Sequence, residues 1–249
     1  VAMAQAEEIL IDNAVNSPNI CLDKIRKSTA DIAIIPHMFG IPSEVVNINN
    51  ADVIEDCAQS LGASLGSEKT GLIGKVGIFS FYATKLMTSG GQGGMFVSKD
   101  RGLVDEVRDY REFDGRRDRN YRFNFQMTDV QASIGRTQLA KVPSFLERRL
   151  EIFSMYKEAG LNLIESKINS SVYYRAVIRV NNPKKIRDNL LKKGVKVIIP
   201  IEDWELLDNN SKYINAYNLT QSCLSLPIYP SLTNLEVKYI INQLNEEVI

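Results

Sequence analysis

The chain carries VIEDCAQS at residues 53–60, FSFYATK at 79–85 and SGGQGG at 89–94, and this stretch decides its fold. A short apolar run ends at Ile54, and Asp56 follows at the carboxyl end of the predicted strand, where open α/β sheets present ligand-binding groups. A second predicted strand, residues 76–81, contains Ser80 and is followed by Lys85. We therefore expect an acid, a hydroxyl and an amine to converge on one crevice.

These three groups are the ones that pyridoxal phosphate requires: a carboxylate for the ring nitrogen, donors for the phosphate and a lysine for the Schiff base. Each residue also has a structural alternative. Asp56 is a possible helix N-cap, Ser80 a packed hydroxyl between two phenylalanines, and Lys85 a solvated surface lysine. The glycine cluster at 90–94 lacks a GxGxxG pattern, and we expect it to let the backbone pass close to Lys85.

Short apolar segments alternate with helical segments along the chain, which predicts an α/β fold with a mostly parallel sheet. The predicted strands of the first part are residues 8–12, 32–36, 53–56, 77–81 and 95–98. The predicted helices are 100–113, 128–140 and 143–161, the second opening with Thr128 and Gln131 in capping-box spacing.

The pattern changes after the long helix at 143–161. A strand at 172–180, a helix at 183–193, a strand at 195–200 and a final helix from Asn234 indicate a small α/β unit with its own sheet. We therefore predict a large domain over residues 1–150 and a small C-terminal domain over 151–249.

Composition excludes several classes of protein. The 30 basic and 30 acidic residues give no charge excess that favours nucleic acid or an anionic membrane. No apolar run approaches the roughly 18 residues of a membrane span, and we expect a cytoplasmic protein. Three widely spaced cysteines, Cys21, Cys57 and Cys223, indicate neither a disulfide framework nor a metal site.

Four segments in this order resemble the DegT/DnrJ/EryC1/StrS family of pyridoxal-phosphate-dependent sugar aminotransferases. The first is the stretch quoted above, and the others are AIIPHMFG at 33–40, NYRFNFQMTDVQASIGRTQL at 120–139 and SLPIYPSLT at 225–233. The resemblance implies a fold-type I transferase, with a large domain that is incomplete at its N-terminus. It also implies a homodimer with a shared active site.

The resemblance assigns roles to individual residues. Lys85 matches the catalytic lysine that carries the cofactor, and Asp56 the partner of its ring nitrogen. Gln59 matches the residue that hydrogen-bonds the phenolic oxygen, and Ser80 a phosphate contact. Asn124 matches an asparagine that reaches the neighbouring subunit's phosphate, although Gln126 stands where the family often has arginine.

Substrate residues are harder to assign. His37 lies beside a glycine turn, where it is either structural or part of the site lining. Arg116 and Arg117 belong to a basic patch with Arg119 and Arg122 that is suited to a nucleotide diphosphate. The alternative for this patch is a solvated loop.

The resemblance implies transamination of a nucleotide-linked keto sugar with an amino acid, glutamate, as donor, in the synthesis of cell-surface polysaccharide or glycoconjugate. Some relatives that dehydrate sugars carry histidine at the position of Lys85. A non-catalytic remnant of the family is one alternative, because the family's N-terminal phosphate-binding turn has no counterpart here. A sugar dehydratase that kept its lysine is the other.

Overall fold

The computed structural model of the protein describes residues 1–166, 170–208 and 211–248. The strands are β1 (Ile32–Pro36), β2 (Asp52–Asp56), β3 (Ser64–Leu65), β4 (Glu68–Lys69), β5 (Val76–Ser80), β6 (Gly94–Val97), β7 (Ala176–Arg179) and β8 (Cys223–Leu226). The α-helices are α1 (Leu22–Arg26), α2 (Arg101–Arg111), α3 (Asp129–Glu158), α4 (Pro183–Lys192), α5 (Ile214–Ser222) and α6 (Asn234–Val248). Within these ranges, no helix is long and apolar enough to cross a bilayer.

The central sheet has the strand order β1-β2-β5-β6. β1 runs parallel to β2 and β2 parallel to β5, whereas β6 is antiparallel to β5. The predicted α/β class with a mostly parallel sheet is thus confirmed. Parallel pairing brings the carboxyl ends of β1, β2 and β5 to one edge, where Asp56 is in register with Ile78.

The two faces of this sheet differ. Ile35 and Val53 pack on one face against Ile25 of α1 in a buried cluster. On the other face, Ile32 and Ile34 remain 56% and 52% exposed. Because side chains alternate along a strand, β2 directs Val53 and Glu55 to the covered face and Asp56 to the open one.

Helix α3 replaces the two predicted helices at 128–140 and 143–161. It runs from Asp129 to Glu158 without interruption and contains Pro143. The prediction of a break was wrong. A proline removes only one helical hydrogen bond, and the packing of buried residues on both sides of Pro143 keeps the helix continuous. The predicted capping box is confirmed, with Thr128 as N-cap and Gln131 as its partner.

The predicted strand at residues 8–12 is wrong, because no strand in the described part of the chain pairs with this segment. The buried Asp12 instead receives hydrogen bonds from the first turn of α5. Its Oδ1 accepts from the backbone N–H of Ala216 at 3.0 Å and its Oδ2 from that of Asn215 at 3.2 Å. Asp12 thereby links the start of the chain to its C-terminal part.

The C-terminal part has a two-stranded antiparallel sheet of β7 and β8. The predicted strand at 172–180 shortens to β7 because Tyr173 adopts a left-handed backbone with φ of 47°. The predicted strand at 195–200 forms a single bridge between Ile198 and Ser225. β8 itself was not predicted.

The largest buried cluster lies in this part. Its members come from residues 152–244 and include Ile152 and Tyr156 of α3 together with Leu224 of β8 and Leu244 of α6. Helix α3 therefore runs from the region of the central sheet into the C-terminal core. The division at 150/151 stays a prediction.

Candidate active site

Asp56 ends β2 at the edge where the parallel strands finish. Its Oδ1 accepts a hydrogen bond from the backbone N–H of Ala58 at 3.0 Å, so the side chain also caps the turn after the strand. Among the described residues, Oδ2 has no hydrogen-bond donor. The half-buried carboxylate therefore has one oxygen left for a ligand.

Ser80 ends the neighbouring strand β5. Asp56 is in register with Ile78, and Ser80 lies two residues further along, so alternation puts both polar side chains on the same face of the sheet. The Ser80 Oγ is half-buried and accepts a hydrogen bond from the backbone N–H of Tyr82 at 3.4 Å. Its own proton remains available for an acceptor such as a phosphate oxygen.

Lys85 lies in the turn that follows β5, where its backbone N–H donates to the carbonyl of Tyr82 at 3.0 Å. The half-buried side chain extends over an aromatic ring, with Nζ 5.7 Å from the ring centroid of Tyr174. No carboxylate in the described ranges lies within ion-pair distance of Nζ. Lys85 is thus held by an aromatic face, and its amine is not neutralised by an acid.

The glycine cluster fastens this turn to the sheet. The backbone N–H groups of Phe81 and Ala83 donate to the carbonyls of Gly93 and Gly91 at 2.7 and 3.1 Å. Gly91 has φ of 138°, a backbone conformation that L side chains rarely adopt. As expected from the sequence, the cluster brings backbone close to the segment that carries Lys85.

A family model described as the DegT/DnrJ/EryC1/StrS aminotransferase family matches residues 1–245. The chain belongs to this family. Solved structures of similar fold include the pyridoxal-phosphate and pyridoxamine-phosphate forms of a sugar aminotransferase from Streptococcus pneumoniae. The family membership confirms the predicted fold class, the cofactor pyridoxal phosphate and the enzyme class, a sugar aminotransferase.

Several relatives carry names that state an activity. GDP-perosamine synthase of Escherichia coli O157:H7 is 29% identical over 245 residues, which cover 90% of this chain and 67% of that protein. UDP-N-acetyl-3-dehydro-alpha-D-glucosamine 3-aminotransferase of Acidithiobacillus ferrooxidans is 26% identical, covering 84% and 62%. A family member from Brucella abortus has the same fold, with a TM-score of 0.90 and 22% identity over 100% of this chain and 75% of that one. The chain thus spans about two thirds to three quarters of these proteins.

Gln59, assigned to the cofactor by resemblance, has a structural contact that the sequence did not reveal. Its Oε1 accepts a hydrogen bond from the backbone N–H of Phe39 at 2.7 Å. Phe39 has φ of 61°, so this bond supports a strained turn after β1. The Nε2 group of Gln59 forms no hydrogen bond with a described residue, and its role toward the phenolic oxygen stays a prediction.

His37 is 1% exposed, and both of its ring nitrogens are engaged. Nδ1 accepts from the backbone N–H of Ser43 at 2.9 Å, which places the ring proton on Nε2. Nε2 then donates to Oε2 of Glu55 at 2.9 Å. The prediction that His37 lines a substrate site is therefore wrong, because neither nitrogen is left for a ligand, and the structural alternative applies.

Glu55 is a buried acid that the sequence interpretation missed. Its two oxygens accept from His37 and from the backbone N–H groups of Gly71, Ile73 and Gly74 at 2.7 to 2.9 Å. Burial alone raises the pKa of a carboxyl, but the hydrogen bonds outweigh it and hold the pKa of Glu55 below its usual value. The sequence did carry a signal for it: Glu55 and Asp56 are adjacent on one strand, so their side chains must face opposite sides of the sheet.

The thiol of Cys57 lies beside Glu55 and His37, and the ligand atoms of the three residues are within 4.8 Å of one another. This geometry resembles a metal centre, but the chemistry does not. Burial raises the pKa of the Cys57 thiol to about 12, so it stays protonated. The carboxylate and imidazole are already hydrogen-bonded, and the three residues form a structural polar cluster.

The basic patch is divided in the structure. Arg116 pairs with Asp109 at 3.2 Å, and the buried side chain of Arg122 pairs with Asp109 at 2.8 Å and with Asp118. Arg117, like Arg119, is exposed and forms no ion pair with the described residues. Within one chain, acids thus partly neutralise the patch predicted to bind a diphosphate.

Asn124 is exposed on the segment between α2 and α3. The surrounding segment carries apolar side chains in solvent: Tyr121 is 91% exposed and Phe125 61%, and Val130 at the start of α3 is 71% exposed. Phe125 also stacks on Phe123 with ring centroids 5.0 Å apart. Among the described residues, no hydrogen bond links Asn124 to Lys85, so the role of Asn124 stays a prediction.

Proposed function

We propose that the protein transfers an amino group from an amino acid, glutamate, to the keto carbon of a nucleotide-linked sugar. The observation that carries the proposal is the presence of Lys85 on a fastened turn beside the edge that holds Asp56 and Ser80. Relatives named as GDP-perosamine synthase and as a UDP-linked 3-aminotransferase support a nucleotide sugar as acceptor. The amino acid becomes a keto acid, and the keto sugar becomes an amino sugar.

The donor set fits pyridoxal phosphate. The free Oδ2 of Asp56 suits the ring nitrogen, the hydroxyl of Ser80 the phosphate, and the amide of Gln59 the phenolic oxygen. When bound, pyridoxal phosphate supplies an electron sink and carries nitrogen between the two substrates.

The residues of the chain divide the remaining work. Asp56 holds a proton on the ring nitrogen, which keeps the ring electron-poor. Lys85 moves a proton to and from the substrate carbon as a general acid and base. A lysine at this position, unlike a histidine, could form the covalent link to the cofactor again and so free the amino-sugar product, which favours amination over dehydration.

A homodimer completes the proposal. The exposed apolar side chains of Tyr121, Phe125 and Val130 surround Asn124, and such a patch is typical of an interaction surface. We place the subunit contact on this segment, with Asn124 reaching the partner's cofactor. A cytoplasmic location and a role in surface polysaccharide synthesis belong to the same proposal.

The test begins with an absorption titration of the full chain with pyridoxal phosphate, followed by borohydride reduction and peptide mass mapping. We expect label on Lys85 and its loss in Lys85→Arg, because arginine cannot form the covalent link. Lys75→Arg is the matched control, since Lys75 is exposed and pairs with Asp52 on the sheet surface. Label scattered over exposed lysines contradicts the proposal and favours the non-catalytic remnant.

Mass analysis of the products then separates the remaining alternatives. A separate sample of the enzyme with pyridoxal phosphate, not treated with borohydride, is supplied with glutamate and with GDP-, UDP- or dTDP-linked keto sugars. An amino sugar together with 2-oxoglutarate supports the proposed transamination. A deoxygenated sugar that has gained no nitrogen identifies the dehydratase instead.

A further inference from the structure

A cavity of about 700 Å³ lies between the Lys85 turn and the C-terminal core. Thr84 lines it on one side, and Tyr174, Arg149 and Arg175 line its inner wall. The hydroxyl of Tyr174 donates to the carbonyl of Thr84 at 3.3 Å, so the cavity wall is joined to the turn that carries Lys85. Thr84 of the Lys85 turn thus borders the cavity, and the ring of Tyr174 faces both the cavity and the Lys85 amine, 5.7 Å from its centroid.

Arg149 is a buried charge without a counterion. Its side chain comes from α3 and the residue is 7% exposed. One terminal nitrogen donates to the carbonyls of Tyr173, Tyr174 and Ile228 at 2.9 to 3.2 Å, and the buried Nε has no hydrogen-bond partner among the described residues. No carboxylate in the described part of the chain lies within ion-pair distance of Arg149.

A guanidinium in this position keeps its charge at neutral pH. Burial lowers the pKa of Arg149 to about 10, which is still well above neutrality. Burying a charge is costly unless it is paired. The carbonyl oxygens offset part of this cost, but they carry only partial charge.

Arg175 brings a second guanidinium to the same cavity. Its terminal nitrogen donates to Oγ of Ser225 at 3.4 Å, and its Cζ lies 5.5 Å from the ring centroid of Tyr174. It too has no ion pair with a described residue. The ring of Tyr174 thus has the Lys85 amine and the Arg175 guanidinium as neighbours.

The other charged residues of the cavity wall leave it positive. Lys196 adds a further cation. Glu236 is the acid that lines the wall, and its carboxylate already accepts from the backbone and hydroxyl of Thr233 at 2.7 Å each. The wall thus carries two guanidinium groups and one carboxylate, which is hydrogen-bonded to Thr233. This excess of positive charge favours binding of an oxyanion, because planar guanidinium donors match carboxylate and phosphate oxygens.

We propose that this cavity is an oxyanion subsite for a substrate of the aminotransferase, with Arg175 and Arg149 as its cationic groups. The inference rests on the proposed function. Its ligand is either the carboxylate of the amino donor or the diphosphate of the nucleotide sugar, which share the same oxyanion chemistry.

The experiment measures binding of two probes, 2-oxoglutarate and UDP, by isothermal titration calorimetry on the full chain with pyridoxal phosphate. Arg175→Gln is the main variant, because it removes the charge from a side chain held by one long hydrogen bond to Ser225 and by the ring of Tyr174. We expect at least one probe to lose affinity by about tenfold or more, the loss typical of a charge-assisted hydrogen bond.

Arg149→Lys is a second variant, because it keeps the charge but loses the planar guanidinium, of which one terminal nitrogen donates to the three carbonyls. Circular dichroism reports whether each variant folds. Arg108→Gln is the matched control, since Arg108 is exposed on α2 and pairs with Asp105 at 3.1 Å. We expect its affinities to equal those of the wild type.

The outcomes separate the sources of the anion. Weakened 2-oxoglutarate binding alone assigns the cavity to the donor carboxylate, and weakened UDP binding alone assigns it to the diphosphate. Unchanged affinities in a folded Arg175→Gln, or no binding of either probe to the wild type, overturn the subsite. Label on Lys85 with unchanged affinities refutes only this inference, whereas weakened affinities without label on Lys85 refute only the proposed function.

Discussion

Replacing Glu55 by glutamine tests whether its buried carboxylate holds the sheet edge together. Oε2 of Glu55 accepts from His37 and Gly71, and Oε1 accepts from Ile73 and Gly74. A glutamine has the same shape but only one acceptor oxygen. Its amide nitrogen must therefore face two N–H donors in a fully buried site.

The magnitude follows from these contacts. Two donors lose their acceptor, and leaving a buried polar group unsatisfied costs about 1–3 kcal/mol. We therefore expect Glu55→Gln to lower the free energy of unfolding by about 2–6 kcal/mol. Domains of this kind are stable by about 5–15 kcal/mol, so the variant is expected to be folded but markedly weakened.

The effect depends on pH with a definite sign. The pKa of Glu55 lies below its ordinary value of 4.5 in the folded protein, because hydrogen bonds favour the carboxylate. The stability it contributes is fully present above that ordinary value and is lost as pH falls through the lowered folded pKa. The difference between the wild type and Glu55→Gln should shrink over the same acidic range.

Urea unfolding followed by far-ultraviolet circular dichroism measures both effects, at neutral pH and in steps down to acidic pH. Glu68→Gln is the control, because Glu68 is exposed in β4 and its ion pair with Lys99 is 3.5 Å long. We expect this control to change stability by less than about 0.5 kcal/mol. A loss for Glu55→Gln no larger than that of Glu68→Gln would refute the reasoning.

Two further substitutions test the packing. A Cβ at Gly77 would collide with the backbone of Gly71, so Gly77→Ala should lower the free energy of unfolding by about 1–3 kcal/mol and lower the melting temperature. Gly135→Ala should slightly raise both, because a Cβ at this position in α3 meets only ordinary contacts. Equal melting temperatures for the two variants would contradict this. Asp12→Asn removes an acceptor from the first turn of α5 and should cost about 1–2 kcal/mol in urea unfolding. An unchanged urea midpoint would show that this link carries no stability.

The local sequence pattern correctly predicted the strands and helices whose neighbours in the fold are also strands or helices. The apolar runs of β1, β2 and β5 and the box at Thr128 contain their own signals, and each was found. The segment at 8–12 has an equally apolar pattern, but a strand also needs a neighbour with free hydrogen-bonding groups. That neighbour is a long-range property, which no window of residues contains.

The candidate site was predicted unevenly for a similar reason. Asp56, Ser80 and Lys85 follow strands, and strand ends meet at one edge whatever the loops do. The hydrogen bond from Phe39 to Gln59 and the hydrogen bonds around the buried Glu55 depend on the backbone of the loops at Phe39 and Gly71. Arg149 gave no signal, because its sequence neighbourhood is that of an ordinary exposed helix.

The unbroken course of α3 has a practical consequence for dissecting the protein. Thirty residues at 1.5 Å each make a rod of about 45 Å, and a cut at 150/151 falls inside it. Separating the chain there would leave Ile152 and Tyr156 in the C-terminal half on a remnant of α3 that begins at Glu151, without the rest of the helix. Because residues 150 and 151 lie inside a continuous helix, they are not a hinge. Any movement between the two parts of the chain should therefore carry α3 as one unit.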